Sequence, residues 1–219
     1  MITREMIEAQ RKLYSKPIVI GDVAIKVLTV RNKHFGILDG VTIPGKTMVE
    51  IDPGYVFGDG THPTTKMCVE QIQKHLKKGA TVLDIGCGCG ILSIVSLLLG
   101  AEHAKAVDID QRCVAVAKGN AERNHVAQRF TASVGDLTEN ISGKFDMIAA
   151  NILADPVLRL LDGLYKFTNK EATVILSGIH DHREAEVVEA ACKSFEIIER
   201  NADENWVCLV LKPKMELVK

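Results

Sequence analysis

The sequence has no excess of charge: 27 Lys and Arg stand against 28 Asp and Glu, a formal net charge of −1 over 219 residues. Nor does it contain a basic run. Salt-dependent binding to nucleic-acid phosphates needs clustered Lys and Arg, so a nucleic-acid partner is disfavoured. No apolar stretch reaches the ~18–20 residues of a membrane helix, and Met1-Ile2-Thr3-Arg4-Glu5 lacks the hydrophobic core of a secretion signal. A cytoplasmic protein with no membrane partner is expected. None of the cysteines (Cys68, Cys87, Cys89, Cys113, Cys192, Cys208) forms C-x-x-C, and no Cys/His spacing suits zinc, so no metal is expected. Free thiols suit a reducing compartment. There is no internal repeat or low-complexity segment. His180 and His182 are the only close histidines, and they are expected to begin a solvent-facing helix.

What the chain does have is Thr81-Val-Leu-Asp-Ile-Gly-Cys-Gly-Cys-Gly90. An apolar run ends in Gly86, Gly88 and Gly90, and a helix-like apolar segment follows over Ile91–Leu99. Glycines suit a turn that visits positive φ and brings backbone close to a ligand. The dinucleotide pattern G-x-G-x-x-G fails at its third glycine, where Ile91 stands, and no Gly-Lys-Ser/Thr follows to make a P-loop. Asp84-x-Gly86-x-Gly88-x-Gly90 remains. It resembles motif I of the S-adenosylmethionine-dependent methyltransferases. Cys87 and Cys89 are expected to fill a crowded turn rather than to bind metal.

A second apolar strand, Ala104–Ile109, ends at Asp108-Ile109-Asp110. An acid about 20 residues past such a turn is where ribose hydroxyls are held, and a carboxylate accepts both hydrogen bonds of a vicinal diol. Asp108 takes that role, while Asp110 suits the N-cap of the helix Gln111–Asn124. Asp136, after a strand over Phe130–Val134, is a candidate contact for an adenine amine or a plain turn residue. Apolar strands follow at Phe145–Ile152 and Ala172–Ser177, the second ended by Gly178. Helices are predicted from Asp155 to Tyr165 and over Asp181–Ser194. A hairpin, Phe195–Arg200 and Trp206–Lys212 with a turn at 201–205, closes the chain. The alternation predicts an α/β fold, a doubly wound, mostly parallel sheet with a C-terminal antiparallel hairpin. Ahead of it, Met1–Tyr14 reads as an amphipathic helix, and β-rich pieces follow in Pro17–Val30 and Phe35–Ile51. Residues 1–51 therefore form a short extension that packs on the main sheet or makes a lid, and residues 52–219 form the main domain.

Residues 52–65 read Asp-Pro-Gly-Tyr-Val-Phe-Gly-Asp-Gly-Thr-His-Pro-Thr-Thr, a structured loop with Pro63 in the first turn of a helix over Thr64–Leu76. This loop, with Val82–Leu92, Asn151-Ile152-Leu153-Ala154 and the closing Trp206–Leu211, resembles the ribosomal protein L11 methyltransferase (PrmA) family over roughly Lys16 to Lys212. The resemblance implies a Rossmann-like class I methyltransferase with a seven-stranded sheet whose last strand is antiparallel. It implies S-adenosylmethionine as cofactor, with contacts at Thr65, Gly86, Asp108 and Asn151. Phe57, Gly58 and His62 wall the methionine end, and Asp84, Gly88, Gly90, Ile109 and Asp136 complete the expected cofactor site. Asn151 is the expected catalytic residue, its amide oxygen orienting an acceptor amine; His62 is either a general base or a helix-start packing residue. Two departures matter. Asp59 stands where the family usually has Thr, placing a carboxylate near a sulfonium or amine. Family members also carry an α/β domain ahead of the catalytic one, which this sequence does not show. The expected acceptor is a protein amine such as a ribosomal lysine, with a small-molecule amine or thiol as the alternative; behind these stand an RNA methyltransferase, disfavoured by the near-neutral charge, and a non-catalytic cofactor-binding module, disfavoured by the intact Gly86, Asp108 and Asn151.

Overall fold

The computed structural model describes residues 14–217; the predicted helix over Met1–Tyr14 lies outside them except for Tyr14. Two sheets are present among the described residues. The larger has seven strands: β4 (Thr81–Ile85), β5 (His103–Asp108), β6 (Phe130–Val134), β7 (Phe145–Asn151), β8 (Thr168–His180), β9 (Phe195–Asp203) and β10 (Trp206–Pro213). Their spatial order is β6-β5-β4-β7-β8-β10-β9. Strands β4 to β8 pair in parallel, and β10 runs antiparallel to both β8 and β9.

Successive strand residues enter different layers, as the pleat requires. Val82, Ala104, Met147 and Ile175 join one core with helices α2 (Pro63–His75), α3 (Ile91–Leu98) and α4 (Gln111–Arg123). Leu83, Ile148, Val174 and Val207 face α5 (Ala154–Leu161) and α6 (Glu184–Ala191) on the other side. With both faces covered, the central strands are continuous apolar runs. The sheet is doubly wound, in a Rossmann-like α/β fold.

The smaller sheet has strands β1 (Ile18–Ile20), β2 (Val23–Val27) and β3 (Thr47–Ile51) in the order β1-β2-β3. The first pair is antiparallel and β2–β3 is parallel. Its Ile20, Val23, Ile25, Val49 and Ile51 belong to the same core as α2, α3 and α4. The outer edge of β3 meets two side-chain amides, Asn120 in α4 and Asn124 at its C-cap. Asn124 Oδ1 accepts from Glu50 N–H at 2.9 Å and its Nδ2 donates to Glu50 O at 2.7 Å. Asn120 repeats the pattern on Asp52 at 2.9 and 3.0 Å. Four helical residues rise about 6 Å and two strand residues about 6.6 Å, so an i,i+4 pair of asparagines imitates a neighbouring strand.

Several expected boundaries differ. Within the β-rich reading of Phe35–Ile51 only β3 is a strand, and Val30–Phe35 forms helix α1, capped by Thr29 Oγ1 on Asn32 N–H and by left-handed Gly36. Strand β8 continues through Gly178 to His180, where Gly178 lets Ile152 O come within 2.4 Å of the position a Cβ would take. His180 therefore ends a strand. His182 lies in a single 3-10 turn, Asp181–Arg183, ahead of a shorter α6. Helix α5 stops at Leu161, before left-handed Gly163. The hairpin turn narrows to Glu204 and Asn205, because β9 runs on to Asp203.

Candidate active site

The chain leaves β4 toward β5 and β6 on one side, then returns to β7 and β8 on the other. The carboxyl ends of β4 and β7 thus flank a topological switch point, where open α/β sheets hold ligands. A cavity of about 520 Å³ opens there. It is lined by Phe57, Gly58, His62, Thr65, Gly86, Gly88, Asp108, Ile109, Asp136 and Asn151 among the expected site residues. Expected residues Asp84 and Gly90 do not line it.

Gly88 shows why the turn needs glycine. It has φ +53°, and a Cβ there would stand 2.7 Å from Phe57 O. The 52–62 loop rests on the turn: Cys89 N–H donates to Phe57 O at 3.1 Å, and Cys89 Sγ donates to Gly58 O at 3.1 Å. Gly90 serves packing instead, since a Cβ there would meet Ala117 Cβ of α4 at 2.9 Å. Asp84 lies beneath the turn. Its Oδ2 accepts from Ser93 N–H and Oγ–H of α3 at 3.1 and 2.8 Å. Its other oxygen is buried with no partner among the described residues. Burial, partly opposed by the Ser93 hydrogen bonds, raises this carboxyl to about 6. The acid before the turn therefore ties strand to helix. Cys87 and Cys89 are buried, and desolvation pushes both thiols up, Cys89 to about 12; protonated thiols filling the turn make poor metal or redox ligands.

Asp108 bridges the turn and the next helix. Its Oδ2 accepts from Gly88 N–H at 2.9 Å and its Oδ1 from Asp110 N–H at 3.0 Å. Each carboxylate oxygen has a further lone pair, and the residue borders the cavity. Asp110 caps α4, accepting from Arg112 N–H at 2.8 Å. Asp136 is ion-paired with Arg159, which also lines the cavity.

At the opposite end, Asn151 closes β7 and its Nδ2 donates to Thr65 Oγ1 at 3.2 Å. That contact leaves the amide oxygen free. Thr65 is fully buried in the first turn of α2. His62 is the N-cap of α2: its Nδ1 accepts from Thr64 N–H at 3.3 Å and lies 2.8 Å from Thr64 Oγ1. In the neutral ring the proton then resides on Nε2, so this side chain presents a donor. Asp59 turns away from the cavity. Its carboxylate accepts from Thr61 N–H at 2.9 Å and from the Tyr14 hydroxyl. Burial, reinforced by Asp59, raises Tyr14 to about 12. The carboxylate expected near a sulfonium is thus committed to holding the loop. No described residue before Phe57 lines the cavity.

Trp206 was not among the expected site residues, yet it lines the cavity. Its ring lies 5.2 Å from His62, which lies 5.3 Å from Phe57, both edge-on. Two signals were available, its uniqueness in the chain and its place at the head of the closing stretch Trp206–Leu211 that carries the family resemblance. Its place follows from the β10–β8 register, which sets Trp206 opposite His180. Ile152, Leu153 and Pro156 add apolar lining beside it.

The sheet order, the glycine turn at its switch point and the antiparallel β10 define a class I methyltransferase fold. A B. subtilis tRNA methyltransferase, 21% identical over 67% of this chain and 65% of its own, shares that fold with a TM-score of 0.56. The chain belongs to the ribosomal protein L11 methyltransferase (PrmA) family, whose sequence model matches residues 8–214. A ribosomal protein L11 methyltransferase of Thermotoga neapolitana is 44% identical over 78% of the chain, and one of Clostridium perfringens 38% identical over 93%. The chain spans 65% and 63% of the lengths of these two relatives. A ribosomal protein L11 methylase structure from Lactobacillus delbrueckii subsp. bulgaricus superposes with a TM-score of 0.81, at 29% identity, over 91% of this chain and 99% of that one. No helix among the described residues is long and apolar enough to cross a membrane.

Proposed function

We propose that the chain is an S-adenosylmethionine-dependent protein N-methyltransferase that modifies an amine, a lysine of a ribosomal protein of the L11 type. The observation that carries this is one cavity with Asp108 on one side of the glycine turn and Asn151 on the other. The cofactor, when bound, supplies a methyl group made electrophilic by its sulfonium. Asp108, pinned by two backbone N–H groups, offers its remaining lone pairs to a ribose diol. Family membership and the ribosomal proteins named for the relatives support the acceptor class; nothing comparable supports a small-molecule acceptor.

A lysine amine is protonated near pH 7 and must be neutral to attack. The apolar wall of Phe57, Ile152, Leu153 and Trp206 disfavours the ammonium form, and the proton leaves to solvent. Asn151 then accepts an N–H of the neutral amine on its free amide oxygen and aims the lone pair along the displacement line. His62 shapes the wall and caps α2; its bonded Nδ1 argues against a role as base. A cytoplasmic setting fits, because reducing conditions keep the six free cysteines as thiols.

The test separates the two ends. Calorimetry with S-adenosylmethionine on Asp108→Ala is expected to show affinity lower by roughly 10–100-fold, the loss of hydrogen bonds to a charged group. Asn151→Ala is expected to keep that affinity within about threefold and to lose roughly 100-fold or more in kcat. Equal losses in both quantities for Asn151→Ala remove its amine-orienting role, and absence of cofactor binding by the wild type removes the whole reading. Labelled methyl should enter L11-type ribosomal protein; label confined to small solutes overturns the protein acceptor.

A further inference from the structure

The tip of the β8–β10 pair carries three potential ligands that the methyl-transfer reading leaves unused. His180 Nδ1 lies 2.7 Å from Asp181 Oδ1 and 2.7 Å from His182 Nδ1, and the remaining separation, Asp181 Oδ1 to His182 Nδ1, is 3.9 Å. One ring proton on His180 Nδ1 serves only one of its two neighbours at a time. A divalent cation satisfies all three. In a tetrahedral zinc site with bonds of about 2.0–2.1 Å, neighbouring ligand atoms stand about 3.3 Å apart, a value these three distances bracket. The backbone around the cluster is fixed: His180 pairs with Trp206 across the ladder, and Asp181 N–H donates to Asn205 O at 2.9 Å. The half-exposed side chains need only small rotations to open around an ion.

We propose that His180, Asp181 and His182 form a binding site for a late first-row divalent cation, zinc being the redox-silent choice for an imidazole and carboxylate set. The site adjoins the cavity. The His180 ring lies 5.3 Å from Trp206, which in turn meets His62 in the cavity wall. An ion held there fixes the His180 ring against the outer side of that wall.

Trp206 is the only tryptophan in the chain, so it reports on the site directly. Zn²⁺ titrated by calorimetry into the full chain is expected to bind one equivalent. Cu²⁺, which binds such ligands more tightly, is expected to quench Trp206 fluorescence saturably at one equivalent, and excess Zn²⁺ to shift that titration to higher Cu²⁺. His182→Asn, an exposed change that leaves the His180 contact with Trp206 in place, should weaken both titrations by roughly 10–100-fold. His180→Ala with His182→Ala should abolish them, and His125→Ala, another exposed histidine, should change nothing. Non-stoichiometric quenching in the wild type, or titrations unmoved in His182→Asn, overturns the site.

Discussion

The two ends of the cavity are built in different ways. The glycine-turn end is made of backbone and of side chains that bond to backbone, drawn from short runs after β4 and β5: Gly86 to Gly90 and Asp108 to Asp110. The opposite end is made of side chains from three separated stretches, the loop of Phe57 and His62, the end of β7 at Asn151 and the start of β10 at Trp206, with Gly178 of β8 beside them, and they meet only because the sheet order brings them together. The glycines of the first end admit no side chain without rearrangement, since a Cβ at Gly86, Gly88 or Gly90 would stand 2.3, 2.7 or 2.9 Å from a neighbouring atom. The second is a wall of rings and an amide whose members can change with the fold intact. In the proposed function, recognition of a common cofactor and accommodation of a particular acceptor fall to parts with different tolerance.

Gly88→Ala challenges the first end most severely. The left-handed φ costs a residue with a Cβ about 1–2 kcal/mol, and here the new atom also meets a carbonyl oxygen at 2.7 Å. A loss of roughly 4 kcal/mol or more is expected in urea unfolding, with loss of cofactor binding. Gly79→Ala isolates the conformational part, because Gly79 has φ +77° and a Cβ there meets nothing within 4 Å. If the two variants unfold alike, close approach is not what the turn requires.

Asn120→Ala probes how the loop between the two ends is held. The Asn120 amide bonds Asp52 N–H, Asp52 O and Cys89 O, the last at 3.0 Å, so one side chain joins the small sheet, α4 and the glycine turn. Removing it leaves backbone groups unpaired at about 1–3 kcal/mol each when buried. A destabilisation of roughly 2–4 kcal/mol is expected by denaturant melt. Asn120→Asp should recover little, because a carboxylate cannot donate to the two carbonyls. Full stability in Asn120→Ala would mean that the β3 edge is satisfied by water.

Legibility in the sequence followed the same division. The glycine turn, Asp108 and the strands around them are local signals: apolar runs, a turn motif and an acid at a fixed interval. Asn151 and the 52–65 loop were found through resemblance, because nothing in their own spacing marks an active site. Trp206 stood in a resembling stretch, yet its place in the cavity wall escaped, since that depends on a cross-strand register that no local pattern encodes. Helix α1 escaped for a different reason. Among its described side chains the polar Asn32 is the buried one, donating to Tyr14 O and Val27 O at 2.8 Å each, so it shows no apolar period. Asp84 was readable as an acid before the turn but not as a buried one, because the sequence does not show that Ser93 would be its partner.

Asp84 also makes the glycine-turn end sensitive to pH, through the smallest of these effects. Burial raises its carboxyl from 3.8 to about 6. The folded state therefore binds more protons than the unfolded chain between about pH 4 and 6, and stability falls as pH rises through that window. Above it the ionised, half-satisfied carboxylate costs at most about 3 kcal/mol. Asp84→Asn keeps an oxygen for Ser93 and cannot ionise. Its melting temperature should fall less than that of the wild type between pH 5 and 7.5. Asp146 and Glu184, whose carboxyls are held below their ordinary values, lose their stabilisation only at more acid pH, so they act equally on both proteins in this range. Parallel curves for wild type and Asp84→Asn would show that Asp84 stays ionised beneath the turn at no cost, and that the cofactor end carries no buried proton.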